Sequence, residues 1–461
     1  MLEVPHPARR LRRVGPYDPL SVTFFPIFVP FAPSQFVLHD NAVLALRYNT
    51  RMLSFSDASA VVIERATAHS DARPTHKRAL NDALGYVLAE QICADRDYPP
   101  FDRSTRDGYA VRAAELHPGA YLKLIGEIKA ADTVTEHLGP CACIQIMTGA
   151  AIPPGADAVE MIEYTARTGD SVTFQRNAQP GQNIVGKGTE ARAGDIALSP
   201  GQRLGFAELA IAAQVGAHEL LCTGKPRVAI LSTGDEVVPI TETPGPFHIR
   251  NSNSVSLAAQ TRLAGGEPIP LGNALDRADD LSAKIEQGLE ADILVLSGGV
   301  SMGKYDLVES VLKTLGAEFY FDAVAIRPGK PAVFGRCRNA LVFGLPGNPV
   351  STMVTFQLFV IPAIDVLSGA PPRPLPLLSA TLSEPVREKP DLTHFLPAHL
   401  DWPNGTAQVR ALPWQGSGDI STLAHANCFL VIPARPRSGS SADNTIPAGH
   451  PVSVLPRLDV L

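Results

Sequence analysis

Between residues 276 and 351, glycine, carboxylate and cationic side chains fall at spacings that suit polyanion chemistry. Ser297-Gly298-Gly299-Val300-Ser301-Met302-Gly303-Lys304 follows an apolar run and precedes a helical one. Glycines in such a place let backbone N–H groups turn toward an anion. Gly298 to Lys304 fits the G-x-x-x-x-G-K spacing of a nucleotide loop. Tyr305 then stands where that loop needs Ser or Thr to hold Mg²⁺, which argues against a nucleotide kinase. A plain tight turn is the simpler reading, and position after a strand favours an anion loop over it.

Asp306 lies just past that loop, at the expected start of a helix. Asp276 opens the helix before it. A lone Asp at a helix start is usually an N-cap. Two of them at one sheet edge, beside an anion loop, could instead hold Mg²⁺, which takes one or two carboxylates plus substrate phosphates. Arg327-Pro328-Gly329-Lys330-Pro331 sets two cations beside a rigid turn, where Arg can fork onto an oxyanion and Lys supplies a point charge. In Leu345-Pro346-Gly347-Asn348-Pro349-Val350-Ser351, Asn348 suits an N-cap and Pro349 the first helical position. That alone explains the motif, and the same helix start could face an anion. Phe101 to Ala110 is polar, and Asp107-Gly108 is a good turn pair. No Ser-His-Asp or Cys-His arrangement stands out.

The elements that must position these residues follow from periodicity. Helical spacing runs over 57–70, 76–90 and 203–217. Short strands and turns fill 98–182. From 226 to 368, apolar runs at 228–231 and 293–296 alternate with helices over 253–265, 277–290 and 306–315. Strands near 268–271, 319–326 and 341–344 and a long helix over 349–367 complete the stretch. Such alternation implies βαβ units on a parallel sheet, with ligands at the carboxyl ends of the strands. Residues 373–461 return to short strands, with Trp402-Pro403-Asn404-Gly405 as a hairpin turn. They are expected to form a small β-barrel or sandwich.

A chain of 461 residues is too long for one core, and its composition, 45% apolar and 19% charged, is that of a soluble globular protein. A net charge of −6 excludes nucleic-acid binding through bulk positive charge but leaves room for a small anion. The cysteines (Cys93, Cys141, Cys143, Cys222, Cys337 and Cys428) form no Cys-x-x-Cys pair and are read as reduced structural thiols in the cytoplasm. Cys141 and Cys143 would share a strand face. Arg9, Arg10, Arg12 and Arg13 precede an apolar run from Leu20 to Leu38, as in a signal or anchor. Pro26, Pro30 and Pro33 interrupt it, so no membrane span is expected. Residues 1–51 are read as a poorly packed extension, or as upstream sequence with the true start near Met52.

Taken together, the motifs resemble the molybdopterin molybdenumtransferase family, which includes the enzymatic E domain of gephyrin. The resemblance runs from about Met52 to the C-terminus. It is carried by FDRSTRDGYA (101–110), IMTGAAIPPGADAV (146–159), GQNI (181–184), STGDE (232–236), SGGVSMGKYD (297–306), RPGKP (327–331), GLPGNPVS (344–351), QGSGD (415–419) and ANCFLVIP (426–433).

The resemblance implies a multidomain α/β protein with β-rich accessory domains. Residues 52–97 with 183–224 would form a helical linking domain and 98–182 a β-rich insert. Residues 225–372 would be the α/β molybdopterin-binding domain and 373–461 the C-terminal β-barrel. It implies a homodimer that inserts molybdate into adenylylated molybdopterin, with Mg²⁺, and releases AMP. By the same resemblance Asp276 and Asp306 would hold the metal. Asp107, Glu236, Arg327 and Lys330 would serve catalysis, Asp107 reaching in from the second domain. Ser297, Gly298, Gly299, Ser301, Pro331, Pro346, Asn348, Pro349, Ser351 and Ser417 would bind substrate.

The chain departs from the family pattern at several positions. Ala323 and Arg327 replace lysines, Thr105-Arg106 replaces Ala-Met, and Gly188-Thr189-Glu190 replaces Gly-Glu-Asp. Phe395-Leu396-Pro397 lacks the Arg of Phe-x-Arg. The losses at 323 and 397 make a catalytically weak pterin-binding or scaffold homologue the alternative. The sister adenylyltransferase activity uses a similar α/β domain, and the extra domains argue against it.

Overall fold

The structure, a computed structural model, describes residues 52–70, 73–299, 307–387, 391–434 and 445–460. The expected extension over 1–51, with Ser301 and Asp306, lies outside the described residues. Ser54 opens the first helix. Its hydroxyl accepts the N–H of Asp57 at 3.1 Å, and α1 (Phe55–Ala68) follows. Ala58, Val61, Val62 and Ala66 form the buried stripe.

The helix expected over 76–90 does not form. Thr75–Ala79 is a strand, β1, followed by one 3-10 turn at Leu80–Asp82 and a two-residue strand at Val87–Leu88. Gly85 turns the chain there with a φ of 77°. Helical spacing was present, but a strand further along the chain takes up the backbone hydrogen bonds.

The insert is one six-stranded sheet. Its strands are β2 (Gly108–Val111), β3 (Tyr121–Ile128), β4 (Ala142–Ile146), β5 (Ala158–Met161), β6 (Thr165–Thr168) and β7 (Ser171–Phe174), in the order β5-β2-β4-β3-β7-β6. Alternation along the strands fills a core on each face. Tyr109, Cys143 and Phe174 lie in one, and Ala110, Ile144 and Val159 in the other. Cys141 and Cys143 do not share a face. Cys141 is exposed, precedes β4 and has a φ of 57°, whereas Cys143 is fully buried. The chain then returns through α2 (Phe206–Gln214) and β8 (Glu219–Thr223), and β8 is the strand that pairs antiparallel with β1.

The α/β part runs β9 (Arg227–Thr233), α3 (Ser252–Ala264), β10 (Glu267–Ala274), α4 (Ala278–Gly288), β11 (Ile293–Ser297) and α5 (Leu307–Thr314). Then come β12 (Glu318–Phe321), β13 (Ile326–Arg327), β14 (Val333–Cys337), β15 (Ala340–Leu345) and the continuous helix α6 (Pro349–Leu367). The sheet order is β10-β9-β11-β15-β14-β12. The first four strands are parallel, as the alternation predicts. The sequence reading missed β14, which pairs antiparallel with β15 through a tight turn where Arg338 has a φ of 52°. Leu281 and Ile285 of α4 and Val308, Val311 and Leu312 of α5 pack on Leu294 and Leu296 of the sheet.

Helix α6 is long and apolar enough to cross a membrane, but nearly all of it is buried inside the protein, where it serves as a core helix. Near the C-terminus, β16 (Leu378–Leu382), β17 (Thr393–Asp401), β18 (Gln408–Ala411), β19 (Cys428–Ile432) and β20 (Pro451–Pro456) form a third six-stranded sheet with β13. Its order is β13-β17-β18-β16-β20-β19, and pairing of β17 with β19 closes the barrel. The hairpin turn at 402–405 is present, with Asn404 and Gly405 at φ 56° and 78°.

Two contacts fasten these parts together. Phe55 of α1 packs on Phe359 of α6 and Phe395 of β17, with ring centroids 6.1 and 5.5 Å away. Asp365, fully buried in α6, accepts from Arg203 Nη2 and Arg373 Nε, both at 2.9 Å. Removing that carboxylate leaves two partly buried guanidinium groups unpaired. Asp365→Ala should therefore cost about 3–5 kcal/mol of unfolding free energy, to be read from a denaturant titration of parent and variant.

Candidate functional site

In the sheet, β9 and β11 are neighbours, and the chain leaves β9 toward β10 on one side but leaves β11 toward β12 on the other. That switch point is where open α/β sheets bind ligands. A cleft of about 410 Å³ opens there. Its floor is the end of β9 (Ser232, Thr233, Gly234) and the end of β11 (Ser297, Gly298, Gly299). Gly298 and Gly299 have φ of 97° and 62°. A Cβ on Gly299 would lie 2.7 Å from Thr233 Oγ1 and 2.8 Å from Val308 Cγ2, so both conformation and space demand glycine.

Glu236 and Asp276 form one wall. The Glu236 carboxylate folds back over Gly234, where any side chain on the glycine would collide with it. Asp276 is not a helix cap. Helix α4 starts after Arg277, and Asp280 takes the Leu275 N–H at 2.8 Å. The Asp276 N–H instead donates to Asp235 Oδ1 at 3.0 Å. The residue is exposed overall, but its carboxyl is shielded at the cleft wall. That burial, and then the charges of Asp235 and Glu236, push its pKa above the ordinary value.

The opposite wall is Pro331 with Pro346, Gly347, Asn348 and Pro349. Asn348 occupies the N-cap position of α6, yet its side chain makes no cap. Its amide donates to Ser417 Oγ at 2.9 Å, and the Val350 N–H donates to the Ser417 carbonyl at 3.0 Å. The 415–419 loop thus covers part of the helix start expected to face an anion. Ser351 is buried in the first turn and does not line the cleft. Arg327 and Lys330 are exposed on their turn and are not among the lining residues, although Pro331 is. Gly329 has a φ of 109°, and a Cβ there would clash with Thr355 of α6 at 2.5 Å, so the turn is seated on the helix. Asp107 lies in the insert, outside this cleft, where its Oδ1 accepts from Thr148 N at 2.7 Å and Thr148 Oγ1 at 3.0 Å. Glu190 ion-pairs with Arg103 at 2.6 Å.

The sequence reading missed Arg250, Asn251 and Asn253, which also line the cleft. Asn251 caps α3 by accepting Ser254 N at 3.0 Å and takes a hydrogen bond from Ser232 Oγ at 3.0 Å. The signal was available: Asn251-Ser252-Asn253-Ser254 is a run of residues suited to a helix start.

Among known proteins, residues 53–216 match the MoeA N-terminal region (domains I and II), 229–366 a probable molybdopterin-binding domain, and 379–456 the MoeA C-terminal region (domain IV). A molybdopterin molybdenumtransferase of Staphylococcus aureus (strain Mu50) is 32% identical over 402 residues, covering 85% of this chain and 94% of its own. The chain belongs to the MoeA family of molybdopterin molybdenumtransferases. A Bacillus subtilis (strain 168) enzyme of the same name is 35% identical over 374 residues, covering 79% of this chain and 87% of its own. The molybdopterin biosynthesis MoeA protein of Pyrococcus horikoshii OT3 superposes with a TM-score of 0.72 at 28% identity, over 88% of this chain and all of that one. This family member is a transferase of molybdenum cofactor biosynthesis, and the scaffold alternative is not favoured.

Asp276 titrates with a raised pKa in the folded state, so its charge opposes folding. Below the unfolded value of about 4 there is no penalty; it develops as pH rises from there to the folded pKa and is full above it. Asp276→Asn should raise the melting temperature slightly at pH 7, and the difference should vanish near pH 3. Thermal unfolding across that range checks both signs.

Proposed function

We propose that the cleft at the ends of β9 and β11 binds adenylylated molybdopterin, and that molybdate enters the dithiolene there as AMP is released. The observation that carries this reading is the pairing, in one cleft, of a glycine floor with the Glu236–Asp276 wall. Glycine backbone and hydroxyl donors suit phosphate oxygens. Neighbouring carboxylates, with Asp276 raised by burial and by the charges beside it, suit a bound cation.

Mg²⁺ is the cation this donor set fits. The described residues contain no group of three or more His, Cys, Asp or Glu placed to hold a metal, but Mg²⁺ does not need one. It commonly takes one or two carboxylates and completes its shell with phosphate and water. Asp276 would hold it, with Glu236 in the same wall, and Asp306 would be the second carboxylate. When bound, it would neutralise charge on the phosphates. Gly298, Gly299 and Ser297 would bind those phosphates, and Pro346, Asn348 and Pro349 would shape the far wall. Lys330 and Arg327 would hold molybdate, with Pro331, Ser351 and Ser417 fixing the turn and helix start beside it. Ser301 would bind substrate as well.

A second copy would bring Asp107 of its insert to the cleft, which makes the working unit a homodimer. Phe206 on α2 and Val255 and Leu263 on α3 are exposed apolar side chains that a partner could cover. A cytoplasmic location suits the free thiols.

Incubating the pure protein with adenylylated molybdopterin, molybdate and Mg²⁺ should yield AMP and active cofactor in equal amounts. Binding without AMP release would instead support the pterin-binding scaffold. Asp276→Asn and Asp306→Asn should each weaken Mg²⁺-dependent turnover while the fold persists. Lys330→Ala should raise the molybdate concentration needed for insertion by about tenfold or more, because a hydrogen bond to a charged group is worth roughly 1.5–3 kcal/mol. Affinity for the pterin should change less. Equal molybdate dependence in variant and parent would remove Lys330 from the site.

A further inference from the structure

Asn253, the second residue of α3, touches two of the loops that form the cleft. Its Nδ2 donates to Ser297 Oγ at 2.8 Å and to the Gly347 carbonyl at 2.7 Å. A backbone carbonyl only accepts, so Gly347 fixes which end of the amide faces the loops. Two consequences follow. Ser297 Oγ accepts from Asn253, which leaves the Ser297 hydrogen free to be donated elsewhere. The Gly347–Asn348 peptide is trans, so drawing the Gly347 oxygen toward Asn253 turns the Asn348 N–H to the opposite side. The loops are close enough to need such a tie. A Cβ on Gly347 would lie 3.4 Å from Gly298 Cα, and the Gly298 N–H donates to the Leu345 carbonyl at 3.1 Å.

We infer that Asn253 is a positioning residue for the transferase reaction. Its amide orients the Ser297 hydroxyl and the Asn348 N–H as a pair of donors toward the phosphate-bearing part of the substrate. The inference rests on reading this cleft as the substrate site. The side chain stands behind the two donors and acts through them. A donor pair set in advance costs no reorganisation when the anion arrives. Without the amide, the Gly347 peptide is free to rotate, and the serine hydroxyl can turn its hydrogen to the Gly347 oxygen and away from the substrate.

The test uses the full-length protein with AMP as the binding probe and adenylylated molybdopterin as the substrate. Asn253→Ala should weaken AMP binding and raise KM for the substrate by about tenfold, with kcat within about threefold and the melting temperature little changed. Asn253→Asp keeps the shape but replaces the donor with an acceptor, so its KM should rise at least as much at pH 7. Its AMP affinity should recover as pH falls and the new carboxyl regains a proton, relative to parent at the same pH. If Asn253→Ala does not fold, the Asp variant decides alone. Ser297→Ala separates the two levels of the argument. Weak binding in Ser297→Ala with parental binding in both Asn253 variants would overturn the positioning role alone. Parental binding in all three would overturn the cleft as the substrate site. A loss in Asn253→Asp that does not recover at low pH would also overturn the role.

Discussion

Parallel pairing of β9, β10, β11 and β15 governs everything near the cleft. A parallel strand cannot be followed by a hairpin to its neighbour, so each connection must cross over through a helix. All the chain exits from these strands then lie at one edge of the sheet. Glycine-bearing loops, helix starts and carboxylates that are far apart in sequence meet there because the register gives them no other place. Gly234, Asp276, Gly298 and Asn348 span more than a hundred residues and line one cleft. The strand order adds the second condition: the chain leaves the neighbours β9 and β11 toward opposite sides of the sheet, and the cleft lies between those two exits.

The remaining parts of the chain depend on that edge being held still. Helix α6 begins at the cleft wall and runs through the core. Buried Asp365 near its far end gathers arginines from the linking segment and from the exit toward the barrel. The barrel reaches back in two places. Strand β13, at the start of the Arg-Pro-Gly-Lys-Pro turn, belongs to the barrel sheet through its pairing with β17. Ser417 sits on the start of α6 through its hydroxyl and its carbonyl. Turn, helix start and loop therefore share one support, and the exposed cations Arg327 and Lys330 are carried on a turn seated against Thr355 of α6.

Much of this was legible in the sequence where local signal and tertiary demand agree. The apolar runs at 228–231 and 293–296 are strands because they are buried on both faces, and their following glycines need positive φ. Residues 76–90 misled because apolar spacing does not register a distant antiparallel partner, here β8. Val333–Cys337 escaped notice because a five-residue hairpin strand with Gly335 in its middle and only Arg336 exposed has little alternation to read. Asp276 was open between cap and ligand until the position of Asp280 removed the capping reading. Asn253 was invisible for a different reason: its partners, Ser297 and Gly347, are 44 and 94 residues away. Ala323, read from sequence as a lost lysine, is buried, and its carbonyl accepts the Leu53 N–H at 3.2 Å. That position closes a seam with the segment before α1.

The central claim is that the sheet edge at β9 and β11 is where the adenylylated substrate sits. A crystal structure of the protein grown with AMP and MgCl₂ tests it most directly. The account predicts the AMP phosphate against Gly298 and Gly299 and a metal ion against the Asp276 carboxylate. AMP bound elsewhere on the protein, with the strand-end cleft holding only water, would contradict it.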